Sequence, residues 1–294
     1  GGGGDRIAVC IVGQLSRLEI DSKVEMLLKP TAATNPSALH VFLALEVGSH
    51  VFSNLDFGAI LAQGDAGTAC GRERSADEVR RRFSPWFTDA SYVNHSTRHV
   101  EMGQWRRYRR DRPAAERHTR LQHHLSQFVH MRTCAQLIEK SEVREGWHYD
   151  TVLKVRDNTL AVAPFAIPSR PPRFARAKRC VEWGGYNDKV MLLPRGAMDG
   201  GLRAPAEDFF LTPSLGRRVG NSEQLLRTVL DRNRVRVERV PPDDLPLVDA
   251  RCSAQGWCLV EEGKDCRPRA GWPWPARPCE ALNATRAQLE LYAT

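Results

Sequence analysis

The chain reads as an α/β protein built on an open, mostly parallel sheet with helices on both faces. Short continuous apolar runs, which suit strands buried on both sides, alternate with longer segments whose apolar residues recur at helical spacing. Those runs end abruptly in glycine or charge, as strands do when they deliver polar groups to the crevice above a sheet. With 294 residues, 41% of them hydrophobic, the chain can bury one sizeable core, or one core with a small appendage.

Ile7 to Val12 is the first apolar run, a buried strand that breaks at Gly13-Gln14-Leu15-Ser16-Arg17 into a tight turn with a basic group. Residues from about Leu18 to Leu28 form a helix that stops before Pro30, because the residue ahead of a proline is pushed out of the helical region. His40 to Leu45 is the second buried strand. Residues 50 to 75 are ambiguous, Ala76 to Phe83 is a short charged helix before Pro85, and Tyr92-Val93-Asn94 is the tip of a further strand. A long helix follows, with Leu121, Leu125, Phe128, Met131, Ala135, Leu137 and Ile138 on one side.

The most informative stretch comes next. Tyr149-Asp150 opens a buried strand, Thr151 to Val155, that ends in Arg156, Asp157 and Asn158. A site belongs at such a strand end, although Asp157 also suits a turn or a cap. After a Pro-rich loop over 164–172, a Gly-rich polar turn (Gly184, Gly185, Tyr186, Asn187, Asp188, Lys189) feeds a strand that ends at Pro194. That turn can carry Asp188 to bound substrate, or it can be a solvent-facing bend. Asn221-Ser222-Glu223 is a capped helix start, where Glu223 is either a functional carboxylate or a first-turn residue favoured by the helix dipole. Val235 to Val240 alternates like a half-exposed strand.

A net charge of +8 favours an anionic partner: nucleic acid, a membrane surface, an acidic polymer or a phosphorylated small molecule. Much of the excess lies between Trp105 and Arg112, with a second cluster at Arg170, Arg173, Arg176, Lys178 and Arg179. Arginine interleaved with Trp and Tyr is the composition of a nucleic-acid groove, but no recognition motif accompanies it, and a solvated insertion is the preferred reading. No run of eighteen apolar residues exists to span a bilayer, so membrane attachment would need an N-terminal anchor missing from this sequence; Gly1 to Gly4 reads as a linker remnant.

Of the eight cysteines, Cys252, Cys258, Cys266 and Cys279 crowd into a Pro- and Trp-rich tail that disulfides would staple in an oxidising compartment. Their spacing lacks the close pairs of a zinc ribbon. Cys10, Cys134 and Cys180 sit in element-like contexts as small buried hydrophobes. Two N-glycosylation sequons, at Asn94 and Asn283, tilt the reading toward a secretory lumen.

Taken together, Ile11-Val12-Gly13-Gln14-Leu15-Ser16-Arg17, Tyr149-Asp150 through Arg156-Asp157-Asn158, and Gly185-Tyr186-Asn187-Asp188-Lys189 resemble small GT-A-type glycosyltransferases of lipopolysaccharide and capsule synthesis and their eukaryotic relatives. The resemblance covers roughly residues 6 to 240. It implies a Rossmann-like catalytic domain over 6–245 with a basic insertion at 104–120, after a linker remnant at 1–5. A Cys-rich extension over 246–294 would pack on that domain.

The implied reaction moves a sugar from a nucleoside diphosphate sugar to a hydroxyl of a glycan or glycoprotein, in the secretory lumen and most naturally the Golgi. The resemblance assigns donor binding to Gly13, Gln14, Arg17, Arg156, Asp157, Asn158 and Lys189, with Asp157 as ligand of a divalent metal such as Mn or Mg. Asp188, then Glu223, would take the acceptor proton. The strand end departs from the family's commonest pattern, two carboxylates one residue apart, and no downstream His completes a metal site. If metal is dispensable, Arg156, Lys189 or the Arg-rich insertion must neutralise the diphosphate. The competing readings are a basic polyanion- or nucleic-acid-binding protein on an α/β scaffold, and an inactive glycan-binding relative.

Overall fold

A computed structural model of the chain describes residues 5–35, 39–47, 75–94, 105, 108, 113–212, 214–215, 218–252 and 258–260. Its strands are β1 (Ile7–Gln14), β2 (Leu39–Val47), β3 (Phe87–Asn94), β4 (Thr151–Arg156), β5 (Thr159–Ala161), β6 (Ala175–Lys178), β7 (Met191–Pro194), β8 (Val237–Val240), β9 (Leu247–Cys252) and β10 (Cys258–Val260). A 7-stranded sheet runs β3-β2-β1-β4-β7-β6-β8, and a 3-stranded one runs β10-β9-β5. Neighbours from β3 to β4 are parallel, as are β6 and β8, whereas β7 is antiparallel to both β4 and β6.

The apolar runs become central strands because both of their faces are covered. Ala8, Cys10 and Val12 of β1 point into one core, Ile7, Val9 and Ile11 into another, and all six are fully buried. The first core is closed by α3 (Ala114–Glu145), α4 (Ala204–Leu211) and α5 (Ser222–Arg232); the second is closed by α2 (Ala76–Phe83) and the segment before α1 (Lys29–Thr34). The α/β architecture with helices on both faces is therefore present. Helix ends follow local chemistry: Ser75 caps α2 by accepting from the Glu78 N–H, Asn221 caps α5 by accepting from Gln224 N–H, and Gly146 stops α3 at φ 72°.

Several expectations are corrected. The helix expected to stop before Pro30 instead takes a wide π-type turn at Lys23–Leu28 and runs on through Pro30 into α1, the irregular turn lying where the proline interrupts the regular hydrogen-bond ladder. Trp105 and Tyr108, expected in a solvated insertion, are buried: Trp105 stacks on Phe209 with centroids 4.1 Å apart, and the Tyr108 hydroxyl meets His124. The arginines between and beyond them lie outside the described residues. Lys178, grouped with the surface cations, is fully buried and donates to the Leu247 carbonyl at 2.5 Å.

Cys10 and Cys134 are not lone hydrophobes. Their Cα atoms lie 6.1 Å apart and the sulfurs are bonded, tying β1 to α3 across 124 residues of sequence. Cys180 is also in a disulfide. The first residues of the extension expected over 246–294 form β9, which pairs with β5. Cys252 and Cys258 are direct register partners of β9 and β10, and Cys266 and Cys279 lie outside the described residues, as does the sequon at Asn283. No helix among the described residues is long and apolar enough to cross a membrane.

A bond that closes so long a loop restricts the unfolded chain strongly. The double variant Cys10→Ala/Cys134→Ala is expected to lose about 2–4 kcal/mol of stability, read as a lower urea midpoint.

Candidate functional site

Strand and helix ends converge on one rim of the large sheet. β1 and β4 are parallel neighbours from which the chain departs to opposite sides, β2 and β3 on one and β7 on the other. Such a switch point opens a crevice beyond the carboxyl ends of the strands. Gly13 and Gln14 end β1 there, and Arg156, Asp157 and Asn158 follow β4. Because β7 runs antiparallel to β4, with Met191 opposite Lys154, the residues that lead into it, Asp188 and Lys189, reach the same rim. The Tyr186 N–H donates to the Glu223 carbonyl at 3.1 Å and draws in the first turn of α5. The three sequence-predicted segments therefore meet.

Asp157 is fully buried, and its carboxylate is committed to the turn after β1. It accepts from the Gln14 N–H at 3.0 Å, from Arg17 Nε at 2.9 Å and from Arg17 Nη2 at 3.1 Å. Its own N–H donates to Val12 and its carbonyl accepts from Glu19 N–H and from buried Lys23 Nζ. Gly13 is required at φ 140°: a Cβ there would lie 2.1 Å from Asp157 Oδ1, and Arg17 prevents that carboxylate from moving aside.

On the other flank of β4 the charges are interleaved. Fully buried Lys154 donates through Nζ to the carbonyls of Asp188 and Lys189. Arg156 Nη1 and Lys189 Nζ both approach Asp249 Oδ2, at 3.4 and 3.5 Å, while Thr159 Oγ1 donates to Asp249 Oδ1 at 3.2 Å. Gln127 of α3 donates to the Asp188 carboxylate at 3.0 Å. Asn158 is buried, and the side-chain Oε1 of Gln14, also buried, accepts no hydrogen bond from the described residues.

These surroundings separate the two expected proton acceptors. Burial pushes the Asp188 carboxyl up, but Arg156, Lys154 and Lys189 outweigh it and hold the group below its ordinary value. Glu223 has the opposite balance: burial and the charge of Asp188 push it up to about 8. Its Oε2 accepts from Ser222 Oγ at 3.0 Å. Burial lowers Lys154 to about 8 and His124, against Tyr108, to about 3, so the imidazole is neutral.

Lys154, His124 and Asp249 were missed in the sequence, and each left a trace there. A lysine in Thr151-Val152-Leu153-Lys154-Val155, a histidine three residues after Leu121 on the apolar side of a helix, and an aspartate in Leu247-Val248-Asp249 all interrupt patterns that demand burial. A buried charge needs a partner, but sequence does not say which.

The metal role expected for Asp157 does not fit these partners. Both carboxylate oxygens are engaged by Arg17, and the neighbouring groups on the rim are Lys154, Arg156 and Lys189. Among the described residues no group of three or more His, Cys, Asp or Glu side chains converges as a metal site would require.

Comparison with known proteins finds no family model that matches the chain, and no curated protein matches it significantly. Among solved structures that match in shape is a nucleoside-diphosphate-sugar pyrophosphorylase from Vibrio cholerae. It is 11% identical with a TM-score of 0.38, over 79% of this chain and 90% of that one.

Arg17→Ala leaves the Asp157 carboxylate buried without its counter-charge and is expected to cost about 3 kcal/mol in urea unfolding, with or without divalent metal in the buffer. Glu223 predicts a pH effect of definite sign. The folded protein keeps this proton up to about pH 8, whereas the unfolded chain releases it in the ordinary carboxylate range, so stability falls as pH rises through that window. Glu223→Gln is expected to be progressively more stable than the parent between about pH 5 and pH 8, and parallel curves for the two proteins would contradict the raised value.

Proposed function

We propose that the chain is a glycosyltransferase that moves a sugar from a nucleoside diphosphate sugar to a hydroxyl of a glycan or glycoprotein. The observation that supports it most is the concentration of cations at the switch point, where, among the described residues, Arg17, Lys154, Arg156 and Lys189 stand among the carboxyl groups of Asp157, Asp188, Asp249 and Glu223. A departing nucleoside diphosphate gathers negative charge as its bond to the sugar breaks, and fixed cations in a water-poor rim stabilise that charge without reorganising. In this reading Arg156 and Lys189 meet the diphosphate, and Gly13 lets the β1 backbone approach the nucleotide closely. The Oε1 of Gln14, whose backbone N–H shares Asp157 with Arg17, accepts a donor from the base or ribose.

Proton transfer falls to Glu223 in preference to Asp188. As the acceptor oxygen bonds to the anomeric carbon, the carbon–oxygen bond to the diphosphate breaks and its electron pair leaves on phosphate; the hydroxyl proton passes to Glu223 in its ionised fraction, which grows as pH rises toward 8. A base is most useful when its pKa lies near the working pH, which describes Glu223 and not the cation-stabilised Asp188. Asp188 then holds Lys154, Gln127 and the loop before β7 in place. The secretory lumen, such as the Golgi, remains the proposed compartment, supported by the disulfides of Cys10, Cys134 and Cys180. The polyanion-binding alternative loses its aromatic groove, because Trp105 and Tyr108 are core residues.

A thermal-shift screen against UDP, GDP, UDP-glucose, UDP-galactose and GDP-mannose tests the reading. At least one is expected to raise the melting temperature and to do so in the presence of EDTA, with Arg156→Ala weakening that ligand about tenfold or more. A screen in which none stabilises the protein overturns it.

A further inference from the structure

The loop that leads from β6 into β7 holds a large aromatic ring out into solvent. Trp183 is 66% exposed, whereas Trp105, the other extreme among the described tryptophans, is buried. The exposure is not a consequence of looseness. The Trp183 carbonyl accepts from Asn221 Nδ2 at 3.0 Å and from Gln224 Nε2 at 3.1 Å, the cap and a first-turn residue of α5, on either side of Glu223 in sequence. Glu182 on one side pairs with Arg239, and the Gly185 N–H on the other donates back to the Glu182 carbonyl at 2.6 Å. Cys180 anchors the loop through its disulfide and accepts from Asn187 Nδ2 at 2.9 Å.

Inside this frame the backbone adopts conformations that L-residues avoid. Val181 and Trp183 have φ of 48° and 42°, followed by Gly184 at 81°. A β-branched valine in that region is a steric outlier, and such outliers persist only where surrounding bonds over-determine them. A loop serving only as a bend would place Asn or Gly at these positions and would not expose an indole. Gly185 explains the closeness of the arrangement, since a Cβ there would lie 1.9 Å from the Glu223 carbonyl oxygen. The loop and the turn that carries Glu223 are one packed unit.

We propose that the Trp183 indole is the acceptor-side platform of this site, on which a pyranose ring of a glycan lies face to face. This rests on the transferase reading above. The sheet order gives the side: Gly13, Gln14 and Arg17 lie on the β1 flank of β4, whereas the loop that leads through Asp188 into β7 lies on the opposite flank. A donor nucleotide seated against β1 leaves the β7 flank to the acceptor, and on that flank the Trp183 carbonyl is bonded to Asn221 and Gln224, the residues that bracket Glu223 in sequence. The chemistry suits a sugar. One face of a pyranose is a patch of C–H bonds with slight positive charge, and the indole face is broad, apolar and negative. Because the ring is already held in place, binding orders little and wastes little affinity.

The test uses protein labelled with 5-fluorotryptophan, in which the Trp183 fluorine resonance is the one missing from Trp183→Phe. Chitotetraose, maltotetraose and mannotetraose are titrated separately, with UDP and GDP as parallel arms. At least one tetrasaccharide is expected to move that resonance. Trp183→Ala is expected to bind it about tenfold more weakly, Trp183→Phe to retain part of the affinity, and nucleotide binding to change less than about twofold in either. Both variants keep the parent melting temperature, since the ring contributes no core contact. If no tetrasaccharide moves the resonance, or if a nucleotide moves it instead and loses affinity in Trp183→Ala, the platform is overturned while the transferase reading stands. A tetrasaccharide response with no nucleotide response overturns the transferase reading and the acceptor-side role together, because the ring then binds a glycan with no donor to serve.

Discussion

The buried contact between Asp157 and the turn after β1 is the constraint on which the rest of the rim depends. A carboxylate with no exposure costs several kcal/mol unless it is paired and fully hydrogen-bonded, and here Arg17 and the Gln14 N–H meet that need from a segment more than a hundred residues away in sequence. The pairing forces glycine at position 13 and fixes the spacing between the ends of β1 and β4. Asp157 thus acts as a keystone of the crevice. The same carboxylate read in isolation resembles a metal ligand, which shows how little a residue type reveals without its partners.

On the other flank the organising problem is a surplus of buried charge. Lys154, Arg156 and Lys189 cannot all be satisfied by one carboxylate, so Asp188 and Asp249 divide the task, with backbone carbonyls completing the coordination of Lys154. The division has a chemical result. Asp188, surrounded by cations, is held ionised, and its charge in turn helps to keep Glu223 protonated. Two carboxyls close enough to feel one another are pushed apart in pKa, and that separation distinguishes a structural anion from a group able to exchange a proton near neutrality.

Rigidity reaches the rim from several directions. The Cys10–Cys134 bond couples β1 to α3, the helix whose Gln127 and His124 lie beside Asp188. The loop carrying Trp183 is fixed to the first turn of α5 through its carbonyl, and the same turn supplies Glu223. A site built in this way needs little rearrangement to receive a ligand, and its strained residues Val181 and Trp183 are stabilised by bonds that lie outside the loop itself.

What the sequence determined by itself is what local periodicity and local chemistry carry. The apolar run over Ile7–Val12, the short helix at Ala76–Phe83, the long helix after it, the strand Thr151–Arg156 and the Asn221 cap were all legible, because burial on two faces, helical spacing and capping act over a few residues. The gathering of Gly13, Asp157 and Asp188 was legible from the order of strand ends. The tertiary structure alone decided the partners: that Arg17 takes Asp157, that Cys10 finds Cys134, that Trp105 stacks on Phe209, and that Asp249, on a strand beyond the expected domain limit, serves Arg156 and Lys189. Short strands such as β5, β6 and β9 escaped notice for the same reason, since three to six residues carry too little pattern and are strands only because a distant neighbour supplies their hydrogen bonds. Pairings of this kind are properties of proximity in space, which no stretch of chain encodes alone.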